Sequence, residues 1–130
     1  MSGGRPVLFV CLHGAAKSVL AAADFERLAR ARGLDLRADF AGTEPDPAIA
    51  PRVAQALLAE GVDLGDRRPR RVTRADVERA SRVVAFGCDL GALVAGARVE
   101  QWDVPAVGDD FQKARAAIDA RLVRLLDEIS

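Results

Sequence analysis

Net charge is the first thing this chain lacks: 19 basic side chains meet 19 acidic ones over 130 residues. A balanced surface sets up no field to attract nucleic acid or an anionic membrane, so neither is expected as a partner. No apolar run reaches the length of a membrane span, and no secretory leader opens the chain. The expected location is therefore the cytoplasm, where two cysteines stay reduced and serve reactions more often than structural staples. One histidine and two cysteines on this spacing do not make a zinc site. No metal or other cofactor is expected. Tyrosine is missing altogether.

What is present reads as one domain, because 130 residues can bury a real core but not two. No internal repeat, low-complexity tract or linker divides it. Residues 1–6 read as a flexible lead-in and residues 7–130 as the folded unit. Strands are expected over Val7–Leu12, Leu34–Ala41, Arg82–Phe86 and Arg98–Val104, with the first almost continuously apolar, as a strand covered on both faces must be. Helices are expected over Ser18–Arg32 with Gly33 as stop, and over Pro47–Glu60 closed by Gly61. Two shorter ones follow, from a Thr73 cap to Ala80 and over Asp89–Ala95. A final helix carries Phe111, Ala114, Ile118, Leu122, Leu125, Leu126 and Ile129 on one stripe, with Gly108-Asp109-Asp110 capping it.

Alternating strand and helix predicts an α/β domain of three layers, a four-stranded parallel sheet of order 2-1-3-4 with helices on both faces. Ligands of such sheets bind beyond the carboxyl ends of the strands, where the order reverses between the first and third. Cys11 ends the first strand and Cys88 follows the third, so both thiols are expected to face one crevice.

The segment Val7-Leu8-Phe9-Val10-Cys11-Leu12-His13-Gly14-Ala15-Ala16-Lys17-Ser18 carries the chemistry. A buried strand delivers a thiol to a loop of small residues just before a helix N-terminus. Unpaired N–H groups and the positive end of the helix dipole make such a loop an anion site. The same field favours thiolate over thiol. Cys11 is thus a candidate nucleophile, with Leu12, His13, Gly14, Ala15, Ala16 and Lys17 holding an oxyanion and Ser18 donating a hydroxyl hydrogen bond to the sulfur. Gly14 suits a strained mid-loop backbone. A free cysteine ending a strand also serves as plain packing, and His13 reads either as a base or as a residue packed outward. The run Arg67-Arg68-Pro69-Arg70-Arg71 reads as a solvated loop or as a docking patch.

These residues resemble the phosphate-binding loop of low-molecular-weight protein tyrosine phosphatases and the related thioredoxin- or mycothiol-coupled arsenate reductases. Their pattern is a cysteine, five residues, then Arg-Ser, after a Val-Leu-Phe-Val-type strand. The likeness extends to Ala41-Gly42-Thr43, Glu60-Gly61-Val62-Asp63-Leu64, Val83-Val84-Ala85-Phe86-Gly87-Cys88-Asp89 and Glu100-Gln101-Trp102-Asp103-Val104-Pro105. The resemblance implies attack by Cys11 on a small oxyanion or phosphorylated substrate through a cysteinyl-phosphate, in a protein expected to be a monomer. It also implies a second reading, arsenate reduction with Cys88 as resolving thiol and an external thiol reductant. A third reading is an oxyanion-binding regulatory module without turnover.

Departures from the pattern shape that choice. Lys17 stands where the family has arginine, which offers a planar fork in place of one compact charge. Gly14 replaces the loop asparagine. The family's Asp-Pro general acid is Ala106-Val107 here, leaving Asp103, Asp109 or Asp110 as stand-ins, with Asp103 the first choice and the other two reading as helix caps. The phosphatases' tyrosine pair is gone with the missing tyrosines.

Overall fold

The computed structural model describes residues 5–94 and 99–129, and shows a four-stranded, fully parallel sheet of order β2-β1-β3-β4. The strands are β1 (Val7–Cys11), β2 (Ala38–Gly42), β3 (Arg82–Ala85) and β4 (Val99–Gln101). Around them run α1 (Lys17–Ala31), α2 (Pro51–Ala59), α3 (Arg74–Arg79) and α4 (Phe111–Ile129), with a single 3-10 turn at Gly91–Val94. Fold class and strand order are as expected from the sequence. Val7 pairs with Ala38 and Arg82, and Val10 with Ala41 and Ala85, so the centre of the sheet is in register across three strands.

Strand parity sorts the core into two layers. Val7, Phe9 and Cys11 pack with residues of α1, α2 and α4, including Phe25, Val53 and Ile118. Leu8 and Val10 face the other way, toward Val72, Val77, Ala80 and Leu90 around α3. A ring cluster centres on Phe9, whose ring lies 5.9 Å from Phe25, 6.4 Å from Phe86 and 6.0 Å from Trp102. Aromatic contacts of this kind add to burial by about 1 kcal/mol each.

Element limits differ from the sequence expectation where local chemistry intervenes. The second helix begins at Pro51 rather than Pro47, because Ala50 sits at φ −53, ψ 125; a residue before proline is kept out of the helical region. The segment expected as a helix from Asp89 tightens to the 3-10 turn, and its last residue, Ala95, lies outside the described residues, as do Arg98 and residues 1–4. Thr73 and Asp76 form the expected capping box, and Asp110 Oδ1 accepts from the Lys113 N–H at the start of α4. Arg5 and Pro6 of the lead-in are engaged: the Arg5 guanidinium donates to the carbonyls of Glu78 and Arg79, and the Pro6 carbonyl accepts from Ser81.

A buried charge cluster joins α1 to α4. Asp24, 1% exposed, receives two hydrogen bonds from Arg115, at 3.0 and 2.7 Å, and Arg115 also grips Glu60. Burial alone would raise the Asp24 carboxyl, but hydrogen bonds from Arg115 and Asp119 and the charges of Arg115 and Arg27 hold it below its ordinary value. Asp119 goes the other way: burial and the adjoining Asp24 carboxylate push it up to about 7. The basic run stays on the surface, with three of its arginines engaged. Arg67 lies over the Phe40 ring, Arg70 reaches Asp39 and Asp76, and Arg71 donates to the Thr43 carbonyl. Among the described residues, no helix is long and apolar enough to cross a membrane.

Candidate active site

The carboxyl end of β1 runs into the loop Leu12–Ala16, and the loop runs straight into α1. Its backbone is turned inside out relative to a solvated loop. The carbonyls of Cys11, Leu12, His13 and Ala15 accept from the N–H groups of Thr43, Glu44, Asp46 and Ala50, at 3.3, 2.7, 3.0 and 3.0 Å. Among the described residues, the N–H groups of Leu12 to Ala16 donate to no protein acceptor. With the carbonyls tied outward, the donors are left for a guest. The start of α1 adds to them, because Ala16 at the cap position gives no side-chain bond and the first turn has no acidic residue. That contrasts with α3, whose N-terminus is closed by its own Thr73–Asp76 box. An uncapped helix start facing a ring of free donors favours negative charge.

Gly14 and Gly42 make this loop geometry feasible. Gly14 has φ +62, and a Cβ there would lie 2.8 Å from the Gly42 nitrogen. A Cβ on Gly42 would lie 2.6 Å from the Gly14 nitrogen. Loop and β2 therefore touch backbone to backbone. Gly14 takes no place in the cleft wall; it is the contact that sets the loop's height above the sheet.

A cleft of about 280 Å³ opens over the loop. Cys11, Leu12, His13, Ala15, Ala16 and Lys17 form one side, Asp46 and Ala50 a second, and Phe86 with Ala106, Val107 and Gly108 the remainder. Cys11 Sγ lies 3.1 Å from Ser18 Oγ, and Ser18 is fully buried beneath it. Lys17 Nζ donates to the Val104 carbonyl at 3.1 Å, which ties the nucleophile loop to the opposite wall and leaves its other N–H bonds uncommitted. His13 sits at the rim, its Nδ1 3.2 Å from the Glu44 carbonyl and 3.3 Å from Asp46 Oδ1.

Two expectations need correcting. Cys88 does not open onto the Cys11 cleft. It packs with Leu8, Val10 and Val83 on the other face of the sheet, its thiol 3.5 Å from the Val10 carbonyl. The cause is Gly87, at φ +75, with its N–H held by Gln101 Oε1 while Gln101 Nε2 donates to the Cys88 carbonyl. Burial, with the nearby Cys11 sulfur, pushes the Cys88 thiol up. Asp103, expected as stand-in acid, is exposed between buried Trp102 and Val104 and is not part of the cleft wall. Asp109 is exposed and Asp110 caps α4, so neither supplies an acid there. Asp46 is the functional candidate that the sequence reading missed. Its position just past β2, in the segment after Ala41-Gly42-Thr43, was the available signal, since side chains beyond strand ends line the crevice of such sheets.

With this geometry in hand, comparison with known proteins is decisive about family. The model of the low molecular weight phosphotyrosine protein phosphatase family matches residues 6–90. The chain belongs to that family. A Halobacterium salinarum protein named only provisionally as an arsenate reductase is 30% identical over 94% of this chain and 91% of its own. A solved Corynebacterium glutamicum thioredoxin-dependent arsenate reductase is 28% identical, with a TM-score of 0.80. That match covers 99% of this chain, which spans 64% of the longer reductase chain. A solved Archaeoglobus fulgidus arsenate reductase is 26% identical with a TM-score of 0.77, over 93% of this chain and 98% of that one. Against the family pattern, Lys17 occupies the arginine position and still reaches the cleft, whereas the general-acid position brings only the Ala106 methyl to the wall.

Proposed function

We propose that the protein is a cysteine-dependent phosphatase acting on phosphotyrosine or small phosphate esters. The observation carrying this reading is the loop itself: a thiol 3.1 Å from a buried hydroxyl, under donors that no protein group uses. Cys11 as thiolate attacks phosphorus, the ester oxygen departs, and a cysteinyl-phosphate forms. Water then attacks that phosphorus, releasing inorganic phosphate and returning the thiolate. The loop N–H groups and Lys17 hold the equatorial oxygens, and Ser18 stabilises the sulfur anion. Replacing a fork by a point charge weakens that grip, where one preorganised donor is worth about 10²–10³ in rate.

The decisive experiment is rapid mixing with 2,4-dinitrophenyl phosphate. A burst of dinitrophenol abolished by Cys11→Ser, with phosphate trapped on the Cys11 peptide, supports the reading. Phosphate binding with no Cys11-dependent burst would leave the non-catalytic, oxyanion-binding module.

Arsenate reduction is the second reading, favoured by the arsenate reductases among the relatives and by Cys88 following the strand that pairs with β1. Cys11 displaces water from arsenate; Cys88 attacks the Cys11 sulfur, arsenite leaves with the electron pair, and an external dithiol reduces the disulfide. Since Cys88 packs on the far face of the sheet, that step requires residues 87–88 to turn over. An intramolecular disulfide formed on arsenate treatment would establish it. We propose that the protein acts as a cytoplasmic monomer in either case.

A further inference from the structure

We infer that His13, steered by Asp46, is the proton donor that takes the place of the missing carboxyl at position 106; the inference rests on the phosphatase reading above. Two needs meet in this cleft. A departing ester oxygen requires a proton unless its conjugate acid is already strong, and positioned donors contribute about 10²–10⁴-fold. The wall where a carboxyl belongs offers Ala106, Val107 and Gly108 instead. Among the described residues lining the cleft, the only side chains able to exchange a proton are Cys11, Lys17, His13 and Asp46. Cys11 is occupied as nucleophile. Lys17 is bound to Val104 and needed for charge. Imidazole is the side-chain type that ordinarily changes charge between pH 5 and 8.

The arrangement around His13 is built rather than incidental. Its ring Nδ1 faces two acceptors, the Asp46 carboxylate and the Glu44 carbonyl, at 3.3 and 3.2 Å. Both belong to the segment that follows β2, and the Asp46 N–H donates back to the His13 carbonyl at 3.0 Å. Acceptors on both sides of Nδ1 assign the N–H to that atom. Among the described residues Nε2 has no protein partner, which leaves it free for substrate. A carboxylate behind the ring orients it, as carboxylates do behind catalytic histidines elsewhere. The Gly14–Gly42 contact holds the two segments together, and the His13 and Asp46 side chains meet across it.

The proton ledger closes over the two steps. His13 imidazolium gives its Nε2 proton to the leaving ester oxygen as the P–O bond breaks. The neutral ring then takes a proton from the water that attacks the cysteinyl-phosphate. No outside reactant is required beyond substrate and water.

The test compares His13→Asn with the wild type on two esters, 2,4-dinitrophenyl phosphate and phenyl phosphate. The first leaving group needs no proton and the second does. The expected result is a loss of about 10²-fold on phenyl phosphate, with dinitrophenyl phosphate changed by less than about threefold. The pH profile of the phenyl ester should lose its basic limb in the variant. Asp46→Asn should reproduce part of the loss on the phenyl ester alone, and Ala106→Asp in the His13→Asn background should restore it. Equal losses on both esters, or an unchanged pH profile, overturn the assignment and leave His13 a rim residue. Failure of the wild type to release dinitrophenol through Cys11 defeats the phosphatase reading itself, and this inference with it.

Discussion

Adding one methyl group at Gly42 should do more harm than its backbone conformation suggests. Gly42 does not have a positive φ, so Ala there carries no left-handed strain. Its Cβ, however, would lie 2.6 Å from the Gly14 nitrogen, 2.8 Å from the His13 carbonyl carbon and 3.0 Å from the Gly14 Cα. All three are backbone atoms, with no flexible end to swing aside. Regaining ordinary contact at about 3.5 Å means separating β2 from the loop by nearly an ångström. The Glu44-to-Leu12 and Asp46-to-His13 hydrogen bonds, at 2.7 and 3.0 Å, pull the same segments together. Overpacking of this kind costs about 1–3 kcal/mol, and each weakened hydrogen bond about 1 kcal/mol more. We expect a loss of about 3 kcal/mol for Gly42→Ala in urea unfolding, with phosphate no longer shielding Cys11 from alkylation. Gly87→Ala is the control: φ +75 but nothing within 4 Å, hence about 1–2 kcal/mol of backbone strain only. If Gly87→Ala proves the more damaging of the two, the backbone contact is not what sets the loop.

Three further outcomes follow from the charge cluster and the thiols. Arg115→Ala strips a carboxylate that is 1% exposed of its principal partner and should cost about 3–5 kcal/mol in urea unfolding; a loss under about 1 kcal/mol would show that Asp24 finds other support. Asp119 keeps its proton up to about 7 when folded, against 3.8 for an ordinary aspartate, so the folded state holds the extra proton between those values. Its contribution is complete below the lower value and fades as pH climbs through the upper one, opposite in sign to Asp24, Glu60 and Asp76, whose lowered carboxyls stabilise above their ordinary values. Wild type should therefore lose stability relative to Asp119→Asn as pH climbs across that window, and parallel curves would refute the retained proton. Iodoacetamide at neutral pH should modify Cys11, which lines the cleft, before Cys88, which packs on the other face of the sheet with its thiol pushed up, and phosphate should protect Cys11 alone; peptide mass spectrometry after partial labelling reads the order.

Much of the fold was legible because its signals are local. The unbroken apolar run Val7–Cys11 can only be a strand covered on both faces, and Thr73 with Asp76 announces a helix start that forms as written. The nucleophile loop was legible for the same reason, since Cys11, Lys17 and Ser18 lie within eight residues. Elements failed where one backbone angle outweighs pattern. Along β3, Val84 and Phe86 belong to the Cys11 side of the sheet, so plain alternation carries residue 88 to that side too. The left-handed turn at Gly87 breaks the alternation and delivers Cys88 to the opposite layer. Asp46 was hidden by sequence distance: its meeting with His13 depends on β2 lying beside β1 and on two glycines touching.

The two departures from the family pattern are mechanically linked. Lys17 spends one N–H on the Val104 carbonyl, and Val104 immediately precedes the wall formed by residues 106–108. An ammonium can make that tether and still present charge to the cleft, because its three donors diverge from a point. A guanidinium presents its donors in one plane, suited to gripping two oxygens of a single guest. Lysine at this position thus holds the far wall in place after the wall has lost its acid. The cleft keeps a thiol and a positive charge, and on the phosphatase reading what it lacks, besides the guanidinium fork, is a carboxyl to deliver a proton to the leaving group. Whatever turnover the site supports must draw that proton from the rim or have no need of it, which is why leaving-group dependence, rather than overall rate, is the measurement that reads this active site.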